Sequence, residues 1–239
     1  MSGISIQRAT QNQLKTIAAI SMLIDHVGLT FFPELRILRI LGRLAFPMFS
    51  FFVYEGFVYT RSKSRYFRRL FMLGALCALV FYIYSGEIYG NVLITFSLSV
   101  IVLSCLQLFC ESLEKGRREK VMGAAVLLGG VAIVYVVCPL LNVDYGFFGV
   151  LLPALVMLAD KLSATAKGRR YIVLAAFAVG LLALSAALGE VQIYGLLSVP
   201  LLALYNGRRG TLNMKSFFYW FYPGHLLLIG AAAFLLQSA

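Results

Sequence analysis

Long apolar stretches separated by short polar connections make up almost the whole chain. Nine such stretches cover residues 14–31, 37–59, 66–85, 91–110, 121–141, 145–160, 171–188, 193–205 and 217–238. A helix that spans a bilayer needs roughly 20 mostly apolar residues, so most of these stretches are long enough to cross a membrane. The pattern predicts an all-α, polytopic transmembrane helical bundle of about nine spans, within a range of eight to ten, that forms a single domain over residues 1–239.

The first and the eighth stretches need separate interpretation. The first contains Asp25 and His26 and has no small-residue cleavage site after it, so we expect an anchoring helix and not a removable signal peptide. The eighth has only about thirteen clearly apolar residues and contains Pro200. A tilted, kinked or re-entrant helix fits it as well as a full span does.

The composition agrees with a membrane protein. Of the 239 residues, 61% are hydrophobic and 13% are charged, whereas soluble domains average about 45–50% apolar and about 25% charged residues. The mean hydropathy is +0.87. Nine spans and short loops leave no room for a sizeable domain outside the membrane, so a water-soluble enzyme or binding module is excluded.

The basic residues indicate the orientation of the chain. There are 21 Lys and Arg against 10 Asp and Glu, and 18 of the 21 fall on the cytoplasmic side if the N-terminus is cytoplasmic. The predicted outer connections at 86–90, 139–144 and 189–192 contain neither Lys nor Arg, as the positive-inside rule requires. The basic excess therefore predicts a cytoplasmic N-terminus and contact with anionic lipid, or with an anionic cytoplasmic ligand such as a nucleotide phosphate, and no nucleic-acid partner.

Three arginines break this rule at the outer start of the second span, namely Arg36, Arg39 and Arg43. Arg39 and Arg43 are four residues apart and share a face on a helix. Ionisable groups inside a bilayer are costly unless they are paired or face water, so each is a candidate functional residue. A pair between Asp25 of the first helix and Arg43 or Arg39 of the second satisfies this requirement.

His26 cannot share that pair, because neighbouring residues on a helix point about 100° apart. We expect His26 to face a cavity, where an imidazole with an ordinary pKa near 6.5 can act as a general base. The alternative is a hydrogen-bonded interhelical histidine with a structural role. His225 follows the pair Pro223 and Gly224, which predicts a broken helix beside protein or a cavity and a contribution to the site.

Glu55 lies near the inner end of the second span, where it either pairs with Arg61 or Arg65 or has a functional role. Other chemistries are not indicated. The four cysteines show no CxxC spacing and there are only two histidines, so no metal centre is predicted. No Walker loop, GxSxG elbow or dinucleotide-binding glycine motif occurs.

An ordered series of motifs covers nearly the whole chain. It comprises Leu14–Ala18, Ile24–Gly28, Gly42–Pro47, Glu55–Phe57, Arg68–Leu70, Gly90–Phe96, Asp144–Gly146 and Phe221–Leu226. In order and spacing this series resembles that of the TraX family, which is named for the acetylase of conjugal F-type pilin and is similar to other transmembrane acyltransferases. Two positions depart from the family pattern, Tyr59 where His is frequent and Ser99 where Gly is usual.

The resemblance implies a multi-pass protein of the bacterial inner (cytoplasmic) membrane. It implies an acetyltransferase that moves an acetyl group from cytoplasmic acetyl-CoA, as co-substrate, to an amine or hydroxyl of an exported acceptor such as pilin, another peptide or an envelope glycan. In this scheme His26 is the base, acting directly or after a transient acetyl-histidine, and Asp25 positions an arginine. Arg43 or Asn91 stabilises the thioester oxyanion.

The same scheme assigns the binding residues. Arg61, Arg65 and Arg69 would hold the phosphates of acetyl-CoA. The expected substrate-binding residues are Arg39, Glu55, Asn91, Thr95, Asp144, Tyr145, Tyr222 and His225.

Two functions of other classes use the same residues. In a proton-coupled small-molecule transporter or channel, Asp25, His26, Arg43 and Glu55 would form a relay. Transporters usually have two comparable halves, whereas these charges crowd into the first 55 residues and recur only at His225, which favours a single-sided site. A non-catalytic membrane assembly factor would tolerate neutral replacements of the same charges.

Overall fold

The computed structural model describes residues 8–237, and within this range the chain is helical, with no named β-strand. The bounds of the ten α-helices in this range are α1 Gln11–Phe31, α2 Arg36–Gly42, α3 Ala45–Tyr59, α4 Lys63–Ser85, α5 Val92–Ser112, α6 Arg117–Leu140, α7 Gly146–Leu162, α8 Arg169–Leu188, α9 Ser198–Ala203 and α10 Lys215–Gln237. A 3₁₀ helix at Glu190–Leu197 precedes α9. The prediction of an all-α chain is confirmed.

Seven helical segments of the described range are long and apolar enough to cross a membrane. They are Gln11–Phe31, Arg36–Tyr59, Lys63–Ile83, Val92–Ser112, Arg117–Leu140, Arg169–Leu188 and Lys215–Leu236. The other two predicted spans correspond to α7, with 17 residues, and to the short helical pair Glu190–Ala203. The count of nine therefore stays a prediction, as does the cytoplasmic N-terminus. Residue 238, the predicted end of the last span, lies outside the described residues.

The second predicted span is confirmed as the helical segment Arg36–Tyr59, but it consists of two helices, α2 and α3. Arg43 and Leu44 separate α2 from α3, and the amide of Arg43 donates to the carbonyls of Arg39 and Ile40, both at 3.2 Å. An α-helical hydrogen bond to the carbonyl of Arg43 would need an N–H donor at residue 47. Pro47 has none, and proline is tolerated in the first turn of the new helix.

Helix α10, in contrast, is continuous where a break was predicted. The Pro223 and Gly224 pair was predicted to break the last span, but α10 runs without interruption from Lys215 to Gln237. A proline inside a helix removes one backbone hydrogen bond without necessarily ending the helix, especially when neighbouring elements support it.

The chain divides into two compact units. The first unit combines the part up to Phe49 with the part from Leu188 onward, and α1 packs there against α2 and α10. Backbone bonds connect its two chain segments: Ala9 donates to Leu204 at 3.0 Å, and Gln11 and Asn12 donate to the carbonyls of Arg208 and Arg209. These bonds satisfy amides at the start of α1 that have no partner within the helix.

The second unit runs from Ser50 to Ala187 and is built around α5, which contacts α4, α6 and α7. Buried hydroxyls connect these helices. Ser99 is fully buried, and its hydroxyl lies 2.9 Å from the carbonyl of Val150 in α7. Whether the chain is one functional domain over residues 1–239 stays a prediction.

Candidate functional site

A buried ion-pair cluster lies between α1 and α2 in the first unit. Arg43 Nη2 donates to Asp25 Oδ2 at 2.6 Å, and Arg39 Nη1 lies 2.9 Å from Asp25 Oδ1. The second contact is ionic, because Oδ1 has no aligned hydrogen bond among the described residues. The Arg43 side chain is 7% exposed and that of Arg39 is 29% exposed. The predicted pairing of Asp25 with these arginines is confirmed.

Glycines allow the carboxylate to approach α2. A Cβ atom at Gly42 would lie 2.2 Å from Asp25 Oδ1 and 2.3 Å from its Cβ, and one at Gly28 would lie 2.6 Å from Leu38 Cβ. The hydroxyl of Ser21, one turn before Asp25, donates to the carbonyl of Leu41. The local sequence thus places small residues at these three close approaches of α1 and α2.

The two histidines bind each other. His26 Nδ1 in α1 lies 2.8 Å from His225 Nε2 in α10, and the ring centroids are 4.9 Å apart. His225 Nδ1 donates to the carbonyl of Phe221 at 2.7 Å. Sequence reasoning selected both residues but not their contact, because nothing in the spacing of residues 199 positions apart indicates it.

Two aromatic rings contact His225, the member of this pair that lies in α10. Phe221 stacks on His225 with centroids 5.0 Å apart, and the Tyr222 ring lies edge-on at 5.7 Å. His225 is buried, whereas His26 is half-buried. The histidine pair lies beside the ion-pair cluster, because His26 directly follows Asp25 in α1. The first unit therefore brings six predicted site residues together: Asp25, His26, Arg39, Arg43, Tyr222 and His225.

Four further predicted residues meet in the second unit, at the start of α5. The Thr95 hydroxyl donates to the carbonyl of Asp144 at 2.6 Å, the amide of Asp144 donates to Gly90 at 2.6 Å, and the amide of Tyr145 lies 3.0 Å from Asp144 Oδ1. Tyr145 has a positive φ of 60°. Hydrogen bonds thus join the two predicted connections at 86–90 and 139–144.

Asn91 has a structural role in this cluster. It caps α5, since its Oδ1 accepts from the amide of Leu93 at 3.1 Å, and its Nδ2 donates to the carbonyl of Gly74 in α4 at 2.8 Å. Asparagine is among the preferred N-cap residues. A role for Asn91, Thr95, Asp144 or Tyr145 in substrate binding stays a prediction.

The remaining predicted residues also belong to the second unit. Glu55 is buried in α3. Arg61 precedes α4, while Arg65 and Arg69 share a face of it, and all three are exposed. Exposed guanidinium groups at one helix end are suited to phosphate oxygens.

One polar cluster of the second unit was not predicted. The Tyr54 hydroxyl donates to Asp160 Oδ2 at 2.6 Å, and Arg169 binds the same carboxylate with Nε and Nη2, each at 2.6 Å. The signal in the sequence was weak, because a tyrosine and two charged residues close to predicted loops also fit an interfacial belt.

Comparisons with known proteins match nearly the whole chain. The model of the family described as "TraX protein" matches residues 10–232. The probable fimbrial assembly protein FimC, serogroup H1, of Dichelobacter nodosus is 30% identical over 251 aligned residues that cover 94% of this chain and 96% of that protein.

A second relative matches locally. An uncharacterized protein of Rickettsia prowazekii (strain Madrid E) is 53% identical over 55 residues, which are 23% of this chain and 22% of that protein. No solved structure matches. Since the family model and the Dichelobacter relative both extend over nearly the whole sequence, the chain belongs to the TraX family.

Proposed function

We propose that this chain is a membrane-embedded acetyltransferase that uses acetyl-CoA as co-substrate. The observation that carries the proposal is the His26 to His225 hydrogen bond next to the buried Asp25, Arg39 and Arg43 cluster. A base held by a second group, with guanidinium groups nearby, is the arrangement that acyl transfer to an amine or hydroxyl needs.

In the proposed reaction His26 takes the proton of the acceptor amine or hydroxyl as that group attacks the thioester carbonyl. The carbonyl oxygen becomes an oxyanion, which Arg43 stabilises from its place beside Asp25. The C–S bond then breaks, the thiolate of CoA leaves, and the imidazolium of His26 returns the proton to sulfur. The products are the acetylated acceptor and CoA. Asn91 has no part in this step, since its amide already caps α5 and binds Gly74.

Arg61, Arg65 and Arg69 are assigned to the phosphates of acetyl-CoA. Their exposure supports this role, as does the planar guanidinium, which binds phosphate oxygens with two parallel hydrogen bonds. The chain would lie in the bacterial cytoplasmic membrane with its N-terminus and these arginines on the cytoplasmic side, where acetyl-CoA is available. The distribution of 18 of its 21 basic residues supports this orientation.

The acceptor is proposed to be an exported peptide or pilin amine, or an envelope glycan. The relative named as a probable fimbrial assembly protein supports a pilus-related acceptor. Asp144 and Tyr145, on a predicted outer connection, would contact it, and Tyr222 would line the acceptor side of His225.

The direct test supplies purified protein in lipid nanodiscs with [¹⁴C]acetyl-CoA and three acceptors: a pilin N-terminal peptide, an unrelated peptide amine and an amino sugar. We expect label in at least one acceptor and mass spectrometry to place one acetyl group on it. Absence of both labelled acceptor and free CoA would reject the proposal. Proton flux in proteoliposomes without acetyl transfer would favour the transporter instead.

A further inference from the structure

The protonation of the two imidazoles follows from a chain of three groups. A backbone carbonyl can only accept, so the 2.7 Å contact with Phe221 requires a proton on His225 Nδ1. A neutral imidazole has one N–H and one lone pair. His225 Nε2 therefore carries the lone pair, and it is this nitrogen that faces His26.

The same reasoning then fixes His26. Its Nδ1 lies 2.8 Å from an accepting nitrogen, so Nδ1 must carry the proton of that hydrogen bond. The remaining nitrogen of neutral His26, Nε2, is left with its lone pair. Free histidine prefers the opposite tautomer, with the proton on Nε2, so the contact with His225 reverses the intrinsic preference.

We propose that His225 is a positioning residue that holds His26 in the Nδ1–H tautomer and thereby leaves Nε2 as the proton-accepting atom. The role of Nε2 as base rests on the proposed function, whereas the tautomer rests on geometry alone. Contact of His225 with substrate stays a prediction. The rings of Phe221 and Tyr222 contact His225 and limit its rotation.

The arrangement has a consequence for catalysis. When Nε2 of His26 gains a proton, the Nδ1–H bond to His225 becomes a charge-assisted hydrogen bond, which is shorter and stronger than a neutral one. His225 thus stabilises the imidazolium that forms in the transition state.

The tautomers are directly measurable, because the chain contains only two histidines. Protein labelled with [¹⁵N]histidine in nanodiscs at pH 8 is expected to give protonated Nδ1 and unprotonated Nε2 signals for both residues, assigned with His26→Gln and His225→Gln. A scalar coupling between His26 Nδ1 and His225 Nε2 should cross the hydrogen bond. A protonated Nε2 on neutral His26, or no coupling, would overturn the proposal whether or not the protein transfers acetyl groups.

Activity supplies the second readout. His225→Ala removes the acceptor for the Nδ1 proton and should lower kcat by about 10²-fold, the low end of the range for acid–base catalysis, with KM for acetyl-CoA changed less than about threefold. In His225→Gln the side-chain oxygen can still accept that proton, so this variant should recover at least about tenfold of the loss.

The outcomes separate the two proposals. Equal losses in both variants, or an effect on KM alone, would contradict the positioning role, provided that both variants elute as monodisperse protein. Wild-type protein that shows the expected tautomers but transfers no acetyl group would reject the proposed function and leave the tautomer assignment in place.

Discussion

Two guanidinium groups share the carboxylate of Asp25, but they differ in burial. The Arg43 side chain is 7% exposed and donates an aligned bond, whereas the Arg39 side chain is 29% exposed and makes an ionic contact. Without Arg43, the buried carboxylate of Asp25 keeps only the more exposed Arg39 as its partner, which is costly, whereas an exposed partner contributes little. The two arginines should therefore not be equivalent.

We expect Arg43→Gln to lower the free energy of unfolding by on the order of 3 kcal/mol and Arg39→Gln by less than about 1 kcal/mol. The measurement is reversible unfolding in mixed detergent micelles. Arg39→Gln serves as the control, because it removes a positive charge that contacts the same carboxylate. Equal losses in the two variants would show that the environment of Arg43 is not as described.

For single residues, the sequence predicted the pairing of charged side chains but not the contacts between residues far apart in the chain. The Asp25 to Arg43 pair was predictable, because few intramembrane charges exist and the spacing along two consecutive spans brings them to a similar depth. The contact of His26 with His225 was not, since it depends on how α1 and α10 pack. Asp160 and Arg169 also escaped prediction, because charges near loop ends are expected to be solvated.

The helices α1 and α2 approach each other closely at glycines. A Cβ at Gly42 would overlap the Asp25 side chain, including its Cβ, which cannot move without the helix. In contrast, a Cβ at Gly230 in α10 would meet no atom within 4 Å. The packing of α1 against α2 therefore requires glycine at position 42, whereas position 230 has room for a side chain.

Gly42→Ala should therefore destabilise the protein by about 1–3 kcal/mol through overpacking. Gly230→Ala should be neutral or slightly stabilising, because alanine has the higher helix propensity. Thermal unfolding in detergent measures both. If Gly42→Ala melts at the wild-type temperature, α1 and α2 are not packed at this distance.

The start of α1 depends on the loop before α10. Asn12 donates through its amide to Arg209 and through Nδ2 to the carbonyl of Leu212 at 2.7 Å, and it is buried. Asn213, in the same loop, is exposed and accepts from Arg209 Nη2 at 2.9 Å. Of these two asparagines, Asn12 is the one that connects the two chain segments of this unit.

Asn12→Ala is expected to cost about 1 kcal/mol and to speed amide hydrogen exchange at Gln11 and residue 12. Asn213→Ala should leave exchange at both positions unchanged. Mass spectrometry of exchanged, proteolysed protein resolves the two cases. Unchanged exchange in the Asn12 variant would contradict the described connection.

Element positions were predictable where apolar length alone determines them. Seven predicted stretches coincide with helices long enough to span, because a run of about 20 apolar residues has few alternatives to a helix. Backbone breaks were not predictable from proline alone. Pro47 accompanies an interruption at Arg43, whereas Pro223 lies inside a continuous α10.

For the whole molecule, the number of crossings determines which side the second half of the chain faces. Helix α7 has 17 residues, or about 25 Å at 1.5 Å per residue, against a hydrocarbon core of about 30 Å. If α7 crosses, the basic connection to α8 returns to the cytoplasm. If it does not, that connection stays outside and breaks the positive-inside rule.

Cysteine accessibility distinguishes these topologies. In a background with Cys77, Cys105, Cys110 and Cys138 replaced, we expect Glu87→Cys to react with a membrane-impermeant maleimide in intact cells. Ala166→Cys should react only after permeabilisation, since both positions are exposed but are proposed to lie on opposite sides. Labelling of residue 166 in intact cells would contradict the nine-span orientation.

The rate at which nanodisc-embedded protein releases CoA from acetyl-CoA measures whether His26 is the base of an acetyl transfer. We expect His26→Ala to lower this rate by at least about 10²-fold, while Leu29→Ala, an exposed position 55% accessible on the same helix, stays within about twofold of wild type. Release of CoA by His26→Ala at the wild-type rate would show that His26 is not the base.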